Sequence, residues 1–173
     1  DGTVQWTKQI NPGAMGAINA LAIKADASGN VYVAGGFSGT ATFGAGIELT
    51  SDATHNAFLV KFDAAGNALW ATSFLNGTST STRMAFDASS NVYLLMRTTR
   101  LIKFNSSGVI QWEQTYPNNV VQAVAVYGTN LYLGGTLRAA VVNFGTIPLS
   151  PVGGNSTGFL VKADLDGVFN SSL

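Results

Sequence analysis

The sequence predicts an all-β chain of three four-stranded antiparallel sheets, with one additional strand at its front. Three observations carry this. Apolar residues alternate with period two, as in Ile18-Asn-Ala-Leu21-Ala-Ile23 and Ala57-Phe-Leu-Val60-Lys-Phe62, the spacing of strands with one covered face. Gly-Asn, Ser-Asn and Ser-Gly steps interrupt these runs, where a hairpin needs a positive φ. A pair of such turns then recurs along the chain, so one supersecondary unit has been repeated.

The first unit joins Asp26-Ala-Ser-Gly-Asn30-Val-Tyr-Val to Asp63-Ala-Ala-Gly-Asn67-Ala-Leu-Trp70. The second joins Asp87-Ala-Ser-Ser-Asn91-Val-Tyr-Leu to Asn105-Ser-Ser-Gly108-Val-Ile-Gln-Trp112. The third joins Tyr127-Gly-Thr-Asn130-Leu-Tyr-Leu to Asp164-Leu-Asp-Gly167-Val-Phe. Each unit is expected to give strands A, B, C and D. In the first these are Ala17–Ala25, Asn30–Phe37, Asn56–Asp63 and Asn67–Phe74. In the second they are Arg83–Ala88, Asn91–Thr98, Arg100–Asn105 and Val109–Tyr116. In the third they are Val121–Tyr127, Asn130–Leu137, Thr157–Asp164 and Val168–Ser172. No segment shows a helical stripe flanked by caps.

The two turns stand 37 residues apart in the outer units (Asp26 to Asp63, Tyr127 to Asp164) and 18 apart in the middle one (Asp87 to Asn105). The outer units share an insertion between B and C. It reads Ala41-Thr-Phe43-Gly44 with Ile47-Glu-Leu49, and Val142-Asn-Phe144-Gly145 with Ile147-Pro-Leu149. A small extra hairpin is expected there.

Composition narrows the function classes. Charged residues make up 10% of the 173, nine basic against nine acidic. No Lys/Arg run exists, so neither nucleic acid nor an anionic membrane surface finds an electrostatic footprint. Cysteine is absent, which removes disulfides, thiol chemistry and Cys-based metal sites. No apolar stretch approaches the ~18 residues of a membrane-spanning helix. The opening Asp1-Gly2 reads as a processed N-terminus or a cut fragment.

The combination Asp-x-x-Gly-Asn-Val-Tyr-Val-x-Gly, Phe-Gly, and Ala-Phe-Leu-Val-Lys-Phe-Asp-x-x-Gly-x-x-Leu-Trp resembles the bacterial β-propeller repeats known as SBBP. The resemblance is best over residues 17–74, good over 121–168 and thin over 83–116. It implies a β-propeller-like array of three blades (17–74, 83–116, 121–173) in one repeat domain, and a secreted or surface-attached protein. It offers no family-wide catalytic residues.

The chain opens with Asp1-Gly-Thr-Val-Gln-Trp6-Thr-Lys-Gln, which matches the D strands, most closely Ser107-Gly-Val-Ile-Gln-Trp112-Glu-Gln. Residues 1–10 are therefore expected to form an extra D strand. Propellers close with about four to eight blades, and an unclosed stack exposes strand edges that recruit others. Two readings stand. The chain is a stretch of a longer propeller, or it assembles with copies of itself into a ring or filament. Assembly would use Val4, Gln5, Trp6, Thr7, Lys8 and Gln9 as donor strand. Val168, Phe169, Asn170, Ser171, Ser172 and Leu173 would be the acceptor neighbourhood.

The candidate chemical residues also have structural explanations. Trp6, Trp70 and Trp112 hold equivalent positions, which favours filling space between neighbouring sheets over stacking on sugars. Asp164-x-Asp166-Gly167 approaches a Ca²⁺ loop but lacks the distal ligands, and turn capping explains the same residues. His55 is the single histidine. It lies in a polar loop near Ser51 and Asp52, without triad spacing. A paired-carboxylate site has only Glu48 and Glu113 among glutamates. N-x-Ser/Thr sequons at Asn76, Asn105, Asn155 and Asn170 suit a glycosylated surface protein. No cofactor is expected. The leading expectation is a non-enzymatic extracellular structural or adhesive module, its partners further copies or blades. The alternative is a glycan- or protein-binding propeller fragment, using loops that contain Phe43, Glu48, His55, Phe144 and Asn155.

Overall fold

Each Asp-x-x-Gly-Asn step closes on its own backbone. Asp26 N–H donates to Asn30 O (2.9 Å) and Gly29 N–H to Asp26 O (3.1 Å); Asp63 and Asn67 repeat this at 2.9 Å, with Gly66 N–H to Asp63 O at 3.0 Å. The fourth turn position is left-handed: Gly29, Gly66, Gly108 and Gly167 have φ of 80°, 81°, 83° and 77°. Glycine takes that conformation without a Cβ penalty. Ser90 holds the same place in the second unit at φ 58°.

The computed structural model describes residues 2–13, 16–44, 46–51, 55–75, 82–96, 99–117, 120–138, 141–153 and 156–169. Side chains are described for all of these except Leu75. The chain divides into two compact units, Asp1–Thr82 with Ser107–Val109, and Arg83–Ser106 with Ile110–Leu173.

The first unit holds β1 (Asn11–Pro12), β2 (Ala17–Ala25), β3 (Val31–Ser38), β4 (Thr40–Gly44), β5 (Ile47–Thr50), β6 (Asn56–Phe62) and β7 (Ala68–Leu75). One antiparallel sheet has the order β2-β3-β6-β7 and a smaller one the order β1-β4-β5. The chain continues through β8 (Thr82–Phe86), β9 (Val92–Met96), β10 (Arg100–Phe104), β11 (Ile110–Thr115), β12 (Val121–Tyr127), β13 (Asn130–Leu137), β14 (Val142–Phe144), β15 (Ile147–Leu149) and β16 (Thr157–Asp164). These make the sheets β11-β10-β9-β8, β12-β13-β16 and β14-β15. The described residues are thus all-β, in five antiparallel sheets, and the insertions of the outer units are hairpins as expected.

The core of the first unit gathers Val33, Phe37, Ala41, Phe43, Phe58, Val60, Phe62 and Ala68. In the second unit one core joins Tyr93, Leu95 and Leu101 of one sheet to Val121, Leu131, Leu133 and Ala163 of the next, with Val142, Phe144 and Phe169. β6 is buried along its whole length, as a strand covered on both faces must be. β16 instead alternates between half-buried and exposed over residues 157–162.

Two expectations need correction. Val4–Gln9 form no ladder; from residue 2 to residue 10 no strand is present, and pairing begins only at Asn11 opposite Thr42. A strand exists only against another strand, and the first unit offers this segment none. The expected fourth strand of the third repeat is likewise absent at Val168 and Phe169. Its turn is closed, with Asp164 N–H donating to Val168 O (3.1 Å). Asn170, Ser171, Ser172 and Leu173 lie outside the described residues.

Candidate functional site: tryptophans seated on turns

The Asp turns are rigid because one carboxylate serves the whole loop. Asp26 Oδ1 accepts from Ser28 N–H (2.9 Å) and Asn30 N–H (3.0 Å), and its Oδ2 from Asn30 Nδ2 (2.9 Å). Asp63 and Asp87 repeat all three contacts. Asp164 Oδ1 accepts from Asp166 N–H (3.0 Å) and Val168 N–H (2.9 Å). Burial pushes the Asp26 carboxyl up, but the Asn30 and Ser28 donors and the nearby Lys61 charge outweigh it, and the net shift is downward. Asp63 is also held low, chiefly by the Asn67 backbone donor.

Behind the turn stand three further side chains of the same repeat. Tyr32 Oη lies 3.4 Å from Asp26 Oδ2, and Lys61 Nζ lies 3.9 Å from it. Lys61 also sits over the Tyr32 ring at 5.1 Å, and Trp70 meets that ring edge-on at 5.9 Å. The second repeat rebuilds the group: Tyr93 Oη lies 3.3 Å from Asp87 Oδ2, Lys103 sits over Tyr93 at 5.6 Å, and Trp112 meets Tyr93 at 5.9 Å. Burial first, then the neighbouring carboxylates, raise both tyrosine hydroxyls far above the ordinary phenol value. They stay protonated donors.

Each tryptophan also reaches forward to a turn of the repeat that follows it in sequence. Trp6 Nε1 donates to Ala64 O (3.1 Å), and its ring lies on Gly66, where a Cβ would stand 3.0 Å from Cδ2. Trp70 lies on Gly108, 2.7 Å from the place of a Cβ. Trp112 Nε1 donates to Leu165 O (3.3 Å), and its ring covers Gly167. Leu165 O also receives Lys103 Nζ (2.8 Å) and Tyr93 Oη (3.0 Å), while Lys103 pairs with Asp166 at 3.1 Å. Beyond Trp6, Asn11 and Pro12 add to β4 opposite Thr42 and Ala41. Beyond Trp112, Tyr116 packs on Phe144 with centroids 5.2 Å apart.

The sequence readings meet this geometry unevenly. Val4 is 74% exposed, and Gln5, Thr7, Lys8 and Gln9 are exposed as well. Phe43 and Phe144 are fully buried. They are hairpin anchors whose rings no ligand can reach, which corrects their place among the ligand loops. Glu48 is exposed and accepts from Thr42 Oγ1 (3.3 Å). His55 is exposed. Asp52, Asn76 and Asn155 lie outside the described residues. Glu113 forms a two-pronged pair with Arg100, at 2.6 and 2.5 Å, and Arg100's donors hold its carboxyl below the usual range. Sequence reasoning missed the burial of Lys61 and Lys103. Their signal was a Lys in the same place of otherwise apolar C strands, at 61, 103 and 162.

No family model matches the chain, and no curated protein matches it significantly.

Proposed function

We propose that this chain is a non-enzymatic β-propeller module of an extracellular or cell-surface structure, which assembles with copies of itself by exchange of terminal strands. In this reading each four-stranded sheet is a blade of the kind the resemblance to SBBP repeats implies. Within the second unit, Trp112 of the fourth strand ties its own blade to the next.

The seat of Trp6 carries the proposal. Trp6 occupies a turn of the first repeat just as Trp112 occupies one of the third. Yet it belongs to no sheet of its own unit, while β16 ends its sheet as an edge among the described residues. In the complete sheets Trp70 stands opposite Lys61 and Trp112 opposite Lys103. The leading segment of one copy would pair with β16 of another, Trp6 opposite Lys162, adding a strand to an open edge. Two such junctions close a pair of chains, and an unclosed series gives a filament.

The turn aspartates support the absence of catalysis in this reading. Asp26, Asp63 and Asp87 each spend both carboxylate oxygens on loop donors. The test is the mass of the full chain in solution, with and without residues 1–9. The full chain should run as two chains or more and the shortened one as a single folded chain. Unchanged oligomers after the deletion, or a full chain that is single throughout, would remove the proposal. A glycan array run beside it tests the rival binding role.

A further inference from the structure

The carbonyl of Leu165 takes three side-chain donors, Lys103, Tyr93 and Trp112. Its counterpart in the first repeat, Ala64, takes only Trp6 among the described residues. The two missing donors exist elsewhere in the chain. Tyr132 and Lys162 face each other across β13 and β16, as Tyr93 and Lys103 do across β9 and β10. Among the described residues neither has a polar partner, and Lys162 is exposed where Lys103 is 8% exposed.

Apolar surface follows the same pattern. Leu59, Leu101 and Leu160 hold one repeat position, two residues before the lysine. The first two are 0% exposed and Leu160 is 74% exposed. A cavity of about 490 Å³ opens beside it, lined also by Tyr132, Lys162, Asn130 and Asp164. On the first repeat, Ile23 pairs with Val33 as Val124 pairs with Leu133. Val124 packs into the core of the second unit, whereas Ile23 is 73% exposed.

We infer that these two surfaces are halves of one head-to-tail interface between copies of this chain. Tyr132 and Lys162 of one copy donate to the Ala64 carbonyl of the next, and Leu160 packs in the place that Leu101 has against the third sheet. The inference rests on the assembly reading above and specifies its contact. The occupant is a second copy because the first repeat of this chain carries the matching half: the joint continues, in the residues named, the packing already present between the second and third sheets. The contact is heterologous, because different surfaces meet.

The test is a concentration series of the full chain by light scattering, comparing wild type with Leu160→Asp, Lys162→Met and Tyr132→Phe. Val152→Ser, at an equally exposed apolar residue (71%), is the control. Leu160→Asp should weaken association about tenfold or more, since it puts a charge into a buried apolar contact. The other two should weaken it several-fold. The control should associate as wild type does. Thermal melts of Leu160→Asp and Lys162→Met as single chains should match wild type, because those side chains are exposed there, and Tyr132→Phe, half-buried with its ring kept, should stay close to it. Variants that associate like wild type would overturn this contact and leave the assembly reading standing. A wild-type chain that is single at every concentration would overturn both.

Discussion

Trp70 lies flat across Gly108. The indole carbons approach to 2.7 Å of the point where a Cβ would be, at a glycine with φ +83°. The glycine thus does two jobs, turning the chain and leaving a bare surface for a ring carried by another repeat. Gly66 and Gly167 do the same for Trp6 and Trp112.

Gly108→Ala should therefore cost more than a left-handed alanine alone. The conformation costs about 1–2 kcal/mol, and displacing the ring adds to it. Gly128→Ala is the reference, at φ +59° with nothing within 4 Å. Urea unfolding should place Gly108→Ala below Gly128→Ala by roughly 1 kcal/mol or more. Equal losses would show that the ring does not depend on the bare glycine.

Gly135→Ala should be among the most damaging single changes. A Cβ there would stand 1.8 Å from the Val120 carbonyl oxygen, whereas at Gly134 the nearest atom is 3.6 Å away. Backbone cannot yield as a side chain can. Loss of about 3 kcal/mol or more is expected for Gly135→Ala and roughly 1 kcal/mol or less for Gly134→Ala, read from paired denaturation curves.

Asp26 should make stability fall in acid. Its folded pKa lies below its ordinary value of 3.8, so the unfolded chain takes up the proton first as pH drops. The contribution is whole above about pH 4 and is lost as pH falls through the folded value. Asp26→Ala removes the acceptor of Ser28 and Asn30, and should cost about 1–3 kcal/mol at pH 7. The difference between wild type and Asp26→Ala should shrink on titration towards pH 3. A difference that grows in acid would contradict the assignment.

The Arg100–Glu113 pair should matter little. It is bidentate, but Glu113 keeps about a third of its side chain in water, and such pairs contribute about 0.2–1 kcal/mol. Glu113→Gln should lower stability by less than about 1 kcal/mol, and the loss should diminish in molar salt. A melting study at two ionic strengths checks both.

Much of the fold was legible because its signals are local. The spans Ala17–Ala25, Val121–Tyr127, Asn130–Leu137 and Thr157–Asp164 are found with the limits that alternation and turn residues predict. The candidate site was less legible. Phe43 and Phe144 belong by sequence to a hairpin insertion within the candidate ligand loops, and only packing reveals that both are buried anchors. The lysine beneath each tyrosine is invisible as a partner because the two meet across a strand pair.

The chain by itself determined where most of its strands begin and turn, since period two, Asp capping and left-handed glycine act over a few neighbouring residues. Tertiary structure decided what each tryptophan touches. Trp6 finds Ala64 across 58 residues of chain, and Trp112 finds Leu165 across 53. No local rule chooses such a contact. It arises because a flat ring and a bare turn exclude water from each other only when separate repeats come together.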